Sequence, residues 1–362
     1  MWYYNSNYTA SQLGSSFANL LTHVEIRQGM TSIKELAFNN CVNLKKVEIG
    51  EDVTSIGANA FVGCTSLGTM IWHYNSNVTA ENLGIQNLLT SVEIPEGETG
   101  KQVTIINESA FANCSKLSSV TKGSDVIAIE ESAFNGCTSL TNFTISKKVK
   151  KIGDSAFANC TNLKSISISD ELTTIGNSAF ANCINLKSII IPEKVKTIGN
   201  TAFINCINLR SIIIPKTVTT IGTEVFTGTN IVIYAGHPRK PEGWDLNWNS
   251  SNQPVYWTTN RTNFQSNQYA EFVIQGGVAI LTRYTGSSYS FTIPMSVTVE
   301  TKKYNVKKIG NLAMAGCTNL SFVIIPNCIT DIDSNAFKGC TSLLNITIPD
   351  GVTQIESNTF EG

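Results

Sequence analysis

The segment KVKTIGNTAFINCINLRSIIIP, residues 194–215, contains the unit from which most of this chain is built. The unit has the form V-x-x-I-G-x-x-A-F-x-x-C-x-x-L-x-x-I-x-I-P, and its cysteine returns every 23 residues within three groups. A unit of this length cannot bury its own apolar face, so neighbouring copies must stack into a continuous core. The sequence therefore predicts a solenoid. The three groups are Cys41 and Cys64; Cys114, Cys137, Cys160, Cys183 and Cys206; and Cys317 and Cys340.

Each unit contains two apolar runs that predict short strands. The run L-x-x-I-x-I, with Ile189 and Ile191 in one copy, has the period of two that is typical of a strand. Successive copies should therefore pair in parallel. The second run, V-x-x-I, leads to a glycine position and then to A-F-x-x-C, for which we predict a helical turn. Several copies lack the glycine, so a positive φ is not required there, and we expect the position to start the helical turn. The position holds Gly199 in one copy and Asn107, Glu130, Asp333 or Glu356 in others.

The repeated cysteine is predicted to be a small buried hydrophobic residue. Cys160 lies between a phenylalanine column and a leucine column of the stack, where a free cysteine packs as part of the core. A reactive thiol would need a nearby cation or a helix N-terminus, and no repeated position supplies one. We predict no metal site, because there is no C-x-x-C pair and His23, His73 and His237 have no ligand spacing. Cys328 lies outside the column and is the one thiol whose reactivity is of interest.

The unit resembles the BspA-like leucine-rich repeats, a 23-residue class found in surface and secreted proteins of anaerobic bacteria and of some protists. The period, the A-F-x-x-C turn and the I-x-I-P strand end coincide over residues 20–226 and again over 306–362. Segments 240–257 and 277–294 also look like segments found between arrays in bacterial members. The resemblance implies a leucine-rich repeat solenoid of stacked short parallel β-strands with helical turns, and an extracellular or cell-surface location. It also implies adhesion to host matrix proteins or to other cells.

Two irregular intervals divide the chain. The interval of 50 residues from Cys64 to Cys114 predicts a degenerate repeat with a loop near residues 70–100. The interval of 88 residues from Phe226 to Met314, which stands in the phenylalanine position, predicts a β-rich insertion with a hairpin. The predicted parts are a first array over 1–235, an aromatic cap or spacer with the hairpin over 236–305, and a second array over 306–362.

Charge and hydropathy exclude several classes of partner. The chain has 26 lysines and arginines against 27 aspartates and glutamates, which argues against binding nucleic acid or an anionic membrane through net charge. Its apolar runs are shorter than the roughly 18 residues of a membrane span, so no membrane insertion is predicted. The first ten residues lack the pattern of a signal peptide. Because the chain begins within a unit and ends before the next cysteine, we expect an excerpt whose export signal and anchor lie outside it.

The outward side of the main strands is the first candidate binding surface, because stacking spreads one side chain per repeat over a long face. Its positions are mostly small and uncharged. We predict that a protein partner binds there by hydrogen bonds, with Ile190 and Ile213 as apolar contacts. Serine and threonine are also good strand-surface residues without any ligand, and both interpretations stay open here. The predicted surface consists of Asn142, Thr144, Ser165, Ser167, Ser188, Ile190, Ser211 and Ile213.

The second candidate surface is aromatic. Trp244, Trp248, Tyr256 and Trp257 cluster in a segment that contains asparagine and proline. Such rings could stack on sugars, which makes a glycan a candidate ligand, or could anchor a protein. They could instead cover the end of the first array as a cap, and we favour that interpretation. The choice between a ligand site and a cap is also open for two further pairs, Trp2/Tyr4 and Trp72/Tyr74.

Catalytic and cofactor motifs are missing from the sequence. It contains no phosphate-binding loop, dinucleotide-binding glycine motif, H-E-x-x-H motif, G-x-S-x-G nucleophile elbow or EF-hand loop. We therefore predict no catalytic residue and no cofactor, and a non-enzymatic, adhesin-like binding protein. A structural stalk without a ligand of its own is the alternative.

Overall fold

This structure, a computed structural model, describes residues 2–3, 9–26, 29–50, 52–72, 79–94, 103–237, 239–253, 255–257, 264–266, 270–286, 288–299 and 301–362. Side chains are described in these ranges except for Trp2, Tyr3, Ser11, Lys122, Tyr256 and residues 264–266. Three residues singled out above, Tyr4, His73 and Tyr74, lie outside the described residues.

The helical elements of the described residues are a 3₁₀ helix, η1 (Ser11–Leu13), and an α-helix, α1 (Ser15–Leu20). The strands, in chain order, are β1 (Trp2–Tyr3), β2 (His23–Ile26), β3 (Ser32–Ile33), β4 (Lys46–Ile49), β5 (Ser55–Ile56), β6 (Thr69–Trp72), β7 (Ser91–Ile94), β8 (Ile105–Ile106), β9 (Ser119–Lys122), β10 (Ala128–Ile129), β11 (Asn142–Thr144), β12 (Lys151–Ile152), β13 (Ser165–Ser167), β14 (Thr174–Ile175), β15 (Thr197–Ile198), β16 (Ser211–Ile214), β17 (Thr220–Ile221), β18 (Val232–Ala235), β19 (Val255–Trp257), β20 (Phe264–Ser266), β21 (Ala270–Gln275), β22 (Val278–Tyr284), β23 (Ser290–Thr292), β24 (Ser296–Val299), β25 (Lys302–Ile309), β26 (Phe322–Ile324), β27 (Asp331–Ile332) and β28 (Asn345–Ile346).

The L-x-x-I-x-I runs form the main stack of strands. Burial alternates along β2, β4 and β7, with the apolar side chains inside. Val47 lies in register with Val24 on one side and with Met70 on the other. Pairing is parallel through the order β1-β2-β4-β6-β7-β9, and also between β11 and β13 and along β16-β18-β19. The predicted parallel pairing is confirmed.

The V-x-x-I runs form a second stack of two-residue strands. Its order is β17-β15-β14-β12-β10-β8, again parallel. Ile175 lies in register with Ile152 and Ile198, so the isoleucine column predicted from the repeat is continuous. β3 and β5 pair in the same way in the N-terminal repeats.

The A-F-x-x-C segment is not helical, so the predicted helical turn is wrong in this detail. Ser155 and Asn159 in one copy have φ values of 54° and 59°, and left-handed residues cannot continue a right-handed helix. Their N–H groups instead bond to the next repeat: Ser155 N–H donates to Asn177 O at 2.7 Å, and Asn159 N–H to Ala181 O at 2.8 Å. The turns therefore form a third ladder of hydrogen bonds between repeats.

The glycine before this turn is explained by a close approach of two backbones. Neither Gly176 nor Gly199 has a positive φ, as the sequence comparison indicated. A Cβ at Gly199 would lie 2.6 Å from the carbonyl carbon of Gly176, closer than a side chain can come. The predicted helix-start role is wrong, because no helix begins at this position.

The core consists of columns of identical residues. Phe134, Phe157, Phe180 and Phe203 are fully buried, and their rings stack with centroids 5.4, 5.6 and 5.4 Å apart. The degenerate repeat at 79–94 lacks the phenylalanine, and Trp72 contacts Phe111 edge-on at 5.0 Å. An aromatic ring thus lies against the column next to the copy that has no phenylalanine.

The chain divides into two compact units. The first consists of Met1–Leu209, Thr217–Asn230 and Pro241–Asn252, and the second of Arg210–Lys216, Ile231–Lys240 and Gln253–Gly362. Because the units interleave along the sequence, they do not test the predicted boundaries at residues 235 and 305, which stay predictions.

The second unit contains the β-rich insertion. β20, β21 and β22 form an antiparallel meander, and β22 then pairs in parallel with β25. β25 also pairs with β24 in an antiparallel hairpin and with β27 in parallel. β23, β26 and β28 form a separate parallel sheet that continues the repeat pattern. The predicted interruption of the solenoid by β-rich structure is confirmed.

Candidate functional site

The first unit carries a strip of mostly exposed side chains on successive main strands, with Ser188 as its one half-buried member. β11 and β13 each bury their middle residue and expose the two outer ones. Asn142 lies in register with Ser165, and a parallel bridge joins Ser165 to Ser188. We call these six residues the strand-face strip: Asn142, Thr144, Ser165, Ser167, Ser188 and Ile190.

The strip is uncharged and offers both hydrogen-bonding groups and one apolar contact. The Ser165 hydroxyl donates to Asn142 Oδ1 at 2.7 Å, which leaves the amide N–H groups of Asn142 directed elsewhere. Ile190 is 72% exposed, an unusual position for a large apolar side chain. Lys164 and Lys187 are exposed next to the strip and supply positive charge along one side of it.

Ser211 and Ile213, predicted as part of this face, do not continue the strip. Ser211 is only 6% exposed, and Ile213 is half-buried. Ile213 packs against a cluster that includes Tyr234 of β18 and Ile280 of β22. Strands of the insertion therefore cover the part of β16 that the repeat pattern would leave open, and the prediction of an exposed surface is wrong for these two residues.

The second unit has an outward strand face that is more apolar. In β26, Phe322 and Ile324 are exposed on either side of the buried Val323. Ser290 and Asn345 lie in register with Phe322 on the two neighbouring strands. Sequence analysis did not include Phe322 in a site, although its place two residues after Leu320 is the place that Ser165 holds after Leu163.

Trp244 and Trp248 are core residues of the first unit, 1% and 5% exposed. Trp248 packs edge-on against Phe226 at 6.1 Å and lies 4.8 Å from Trp244. Trp244 forms a parallel bridge with Ile221, and its indole N–H donates to Val218 O at 3.0 Å. Their ring faces are closed to sugars, so they cannot form the alternative aromatic site. They extend the aromatic column past Phe226, which supports the cap interpretation.

The sequence contains a signal for the core position of Trp244. Trp244 follows Ile221 by 23 residues, which is the repeat interval. The other members of the predicted aromatic site differ: Trp257 is half-buried, and the side chain of Tyr256 is not described. Trp72 is buried as well, so of the two further aromatic pairs only this residue can be assigned, and it belongs to the core.

The cysteine column is structural, as predicted. Cys160, Cys183 and Cys206 are free and buried. Each thiol donates to a carbonyl of an earlier repeat: Cys160 to Phe134 O at 3.2 Å and Cys183 to Phe157 O at 3.1 Å. Burial raises the pKa of the Cys160 thiol to about 12, which suppresses the reactive thiolate. Cys328, outside the column, is half-buried and donates to Met295 O at 3.6 Å.

The described residues show little that suits catalysis. They contain no group of three or more His, Cys, Asp or Glu side chains that could hold a metal ion. An open cleft of about 340 Å³ is lined by acidic residues, and there Lys151 Nζ pairs with Glu130 Oε2 at 2.6 Å. No serine, cysteine or histidine lines that cleft. Among the described residues, no helix has the length and apolar character needed to cross a membrane.

Comparison with solved structures finds similar bacterial proteins. A leucine rich cell surface protein from Faecalibacterium prausnitzii is 23% identical, with 94% of this chain and 79% of that one covered and a TM-score of 0.35. A leucine-rich repeat protein from Bacteroides ovatus is also 23% identical, with 90% and 86% covered and a TM-score of 0.42. The pneumococcal vaccine antigen PcpA is 20% identical, with 89% and 67% covered and a TM-score of 0.30. These likenesses carry no argument about function.

Comparison at the level of families is decisive. No curated protein matches the chain. The family described as BspA type leucine rich repeat region matches in 6 copies, over residues 9–103, 104–232 and 263–362. These ranges contain most of the stacked strands and the cysteine and phenylalanine columns described above. The chain therefore belongs to the BspA-type leucine-rich repeat family.

Proposed function

We propose that the protein is a non-enzymatic binding protein, secreted or held at a cell surface, whose strand-face strip contacts a protein partner. The observation that carries the proposal is a set of six uncharged side chains at matching positions of three successive repeats, of which Ser188 is half-buried and the other five are exposed. Host matrix proteins or proteins of other cells are the partner class that the family suggests.

The spacing of the strip suits a protein surface. Neighbouring strands are about 4.8 Å apart, so equivalent side chains of the first and third repeats are separated by roughly 10 Å. Such a strip is flat, and it can only discriminate between partners through complementary shape and hydrogen bonds. Ile190 would add an apolar contact at one end of the strip, while Lys164 and Lys187 would form a charged rim on one side.

A stalk without its own ligand is the second candidate, and one contact favours it. The Ser165–Asn142 hydrogen bond satisfies part of the strip internally, as expected of a surface that faces only water. The two proposals differ in their consequences: a stalk tolerates substitutions anywhere on the strip, whereas a binding surface does not.

The test is binding of the chain to a panel of purified extracellular-matrix proteins, with Ile190→Asp as the decisive variant. For the partner that binds, we expect Ile190→Asp to weaken binding about tenfold, as loss of an apolar contact worth about 1.4 kcal/mol would do. Ile207→Asp is the matched control, because Ile207 is exposed in the turn after Cys206 and lies outside the strip.

Three results are informative. Loss in Ile190→Asp with little change in Ile207→Asp supports the strip. Equal affinity of the unsubstituted chain and Ile190→Asp would place the contact elsewhere. If no matrix protein binds the unsubstituted chain, the stalk becomes the better account.

A further inference from the structure

The β24–β25 hairpin of the second unit combines an open sheet edge with a group of lysines. β24 lies last in the sheet order β20-β21-β22-β25-β24 and pairs with β25 alone. Alternate residues of an edge strand direct their N–H and C=O groups away from the sheet. No described strand pairs with this outer edge of β24.

The side chains of β24 suit the addition of another strand. Its sequence, SVTV, consists mostly of β-branched residues. Val299 is buried and anchors the strand in the core, while Val297 packs against the same core in part. Thr298 is exposed and lies directly across from Lys303. The edge is therefore held in an extended conformation by its inner side chains.

The lysines of β25 give this edge a local positive charge. Lys302 and Lys303 are exposed, and Lys307 is half-buried at a β-bulge, since Ala279 pairs with Val306 and Ile280 pairs with Lys308. Lys308 Nζ is neutralised by Asp333 Oδ1 at 2.7 Å. The other three form no ion pair with a described residue, and Lys302 Nζ lies 5.1 Å from the centre of the Tyr304 ring. Glu300, between β24 and β25 in the sequence, lies outside the described residues.

We propose that the β24–β25 hairpin is a docking site for an extended acidic peptide segment of a partner protein, which adds as a strand to the open edge of β24. An added strand would run about 4.8 Å from β24 and roughly 10 Å from β25. Consecutive residues of a strand point to opposite faces, so Lys302 and Lys303 supply positive charge on the two faces of the hairpin beside an added strand. Backbone hydrogen bonds would provide the alignment, and the lysines would select acidic over basic sequences.

The charge also explains why a neutral or basic strand is a poor occupant. Lysines beside an edge repel a second copy of the same hairpin, which is how many proteins prevent edge-to-edge association. An acidic strand replaces that repulsion with attraction. This inference does not depend on the strand-face strip, which lies in the first unit, and the two sites can fail separately.

The experiment measures binding of three labelled peptides to the full chain by fluorescence anisotropy. The first is a peptide of about eight residues that alternates glutamate with valine or threonine, a length typical of a strand. The second replaces every glutamate by lysine. The third keeps the acidic sequence but carries an N-methyl group on every residue, which removes the backbone N–H donors of both edges. We expect the first to bind at least about tenfold more tightly than the other two.

Two double variants locate the site. Lys302→Glu/Lys303→Glu should weaken binding of the acidic peptide about tenfold or more. Lys45→Glu/Lys116→Glu is the matched control, with the same change in net charge at two exposed lysines of the first unit that lie outside the strand-face strip, and it should change binding less than about threefold. Lys302→Arg/Lys303→Arg should retain binding, which shows that the hairpin tolerates substitution.

Three results would overturn the proposal. Equal binding of the acidic and N-methylated peptides would exclude strand addition and leave only attraction between charges. Equal binding of the acidic peptide by the chain and by Lys302→Glu/Lys303→Glu would exclude the hairpin. Absence of binding at low salt would exclude an acidic peptide as the occupant.

Discussion

Phe157 and Phe360 hold the same position of the repeat in different surroundings. Phe157 stacks between Phe134 at 5.4 Å and Phe180 at 5.6 Å and is fully buried. Phe360 stacks on Phe337 at 5.2 Å, lines a cleft of about 270 Å³ and is 41% exposed. The difference teaches that a residue of this fold is buried by the neighbouring copies and not by its own repeat.

The largest expected effect tests directly whether neighbouring repeats supply the burial. Phe157→Ala should lower the free energy of unfolding by about 3–5 kcal/mol, because it leaves a cavity inside a packed column. Phe360→Ala should cost much less, since its ring is stacked on one face and partly in water already. Denaturant unfolding of both variants, followed by circular dichroism, measures the two losses. Equal losses would contradict a stack stabilised by nearest neighbours.

A second prediction uses the thiols of the interior array. Burial raises the pKa of Cys160 from 9.0 to about 12, so the folded chain holds a proton that the unfolded chain releases. The stability from this protonated thiol is complete below pH 9 and is lost as the pH rises towards 12. Between pH 9 and pH 11 the loss should be about 2 kcal/mol.

Comparison of variants isolates this contribution. Between pH 9 and pH 11, the free energy of unfolding of Cys160→Ala should fall by about 2 kcal/mol less than that of the unsubstituted chain. Val149→Ala, another fully buried substitution in the same array, should be less stable at every pH but keep the slope of the unsubstituted chain. A Cys160→Ala chain that retains the full slope would show that water reaches the interior column.

The smallest expected effects are at the left-handed position before the cysteine. Some repeats have asparagine at this position and others have glycine. Asn182 has a φ of 58° and lies in a ladder in which its side-chain N–H donates to Asn159 Oδ1 at 2.8 Å. Gly339 holds the same position in the second unit with a φ of 71° and no side chain. Asn182→Ala should cost about 2 kcal/mol, from backbone strain and lost hydrogen bonds, and Gly339→Ala about 1 kcal/mol, from strain alone.

Asn182→Gly separates the two causes, because it keeps the backbone conformation and removes the ladder. Thermal unfolding of the three variants should give a smaller loss for Asn182→Gly than for Asn182→Ala. If the two changes at Asn182 were equally destabilising, the left-handed backbone would contribute nothing, and the comparison with Gly339 would lose its basis.

The repeat interval was enough to predict the stacked parallel strands and the buried columns. A residue such as Ile175 is in register with Ile152 and Ile198 because the chain returns to the same place after the same number of residues. The non-helical turn was not predicted, since Ser155 does not indicate a left-handed backbone, although the position of Asn159 holds glycine in other copies, such as Gly136 and Gly339. Local composition therefore favoured a helical turn that the hydrogen bonds between repeats exclude.

The strand face was predicted only where the repeats are regular. Ser165 and Ser188 hold the same position of the repeat and are joined by a parallel bridge, so their outward direction follows from the alternation. The burial of Ser211 could not be predicted, because the strands that cover this region come from an insertion without the repeat pattern. The core position of Trp244 could have been predicted from its spacing to Ile221, whereas sequence analysis favoured a cap over the end of the array and left an exposed aromatic site as the alternative.

The turn ladder has a mechanical consequence. The hydrogen bonds between strands of both stacks, and one set of hydrogen bonds in the turns, run from one repeat to the next, as in the bond from Asn159 N–H to Ala181 O at 2.8 Å. A pull along the stack loads these bonds along their own direction and opens one repeat after another. Each repeat of 23 residues that opens releases roughly 75 Å of extended chain. Under tension, such an array lengthens in steps and limits the force that reaches whatever is bound at its far end.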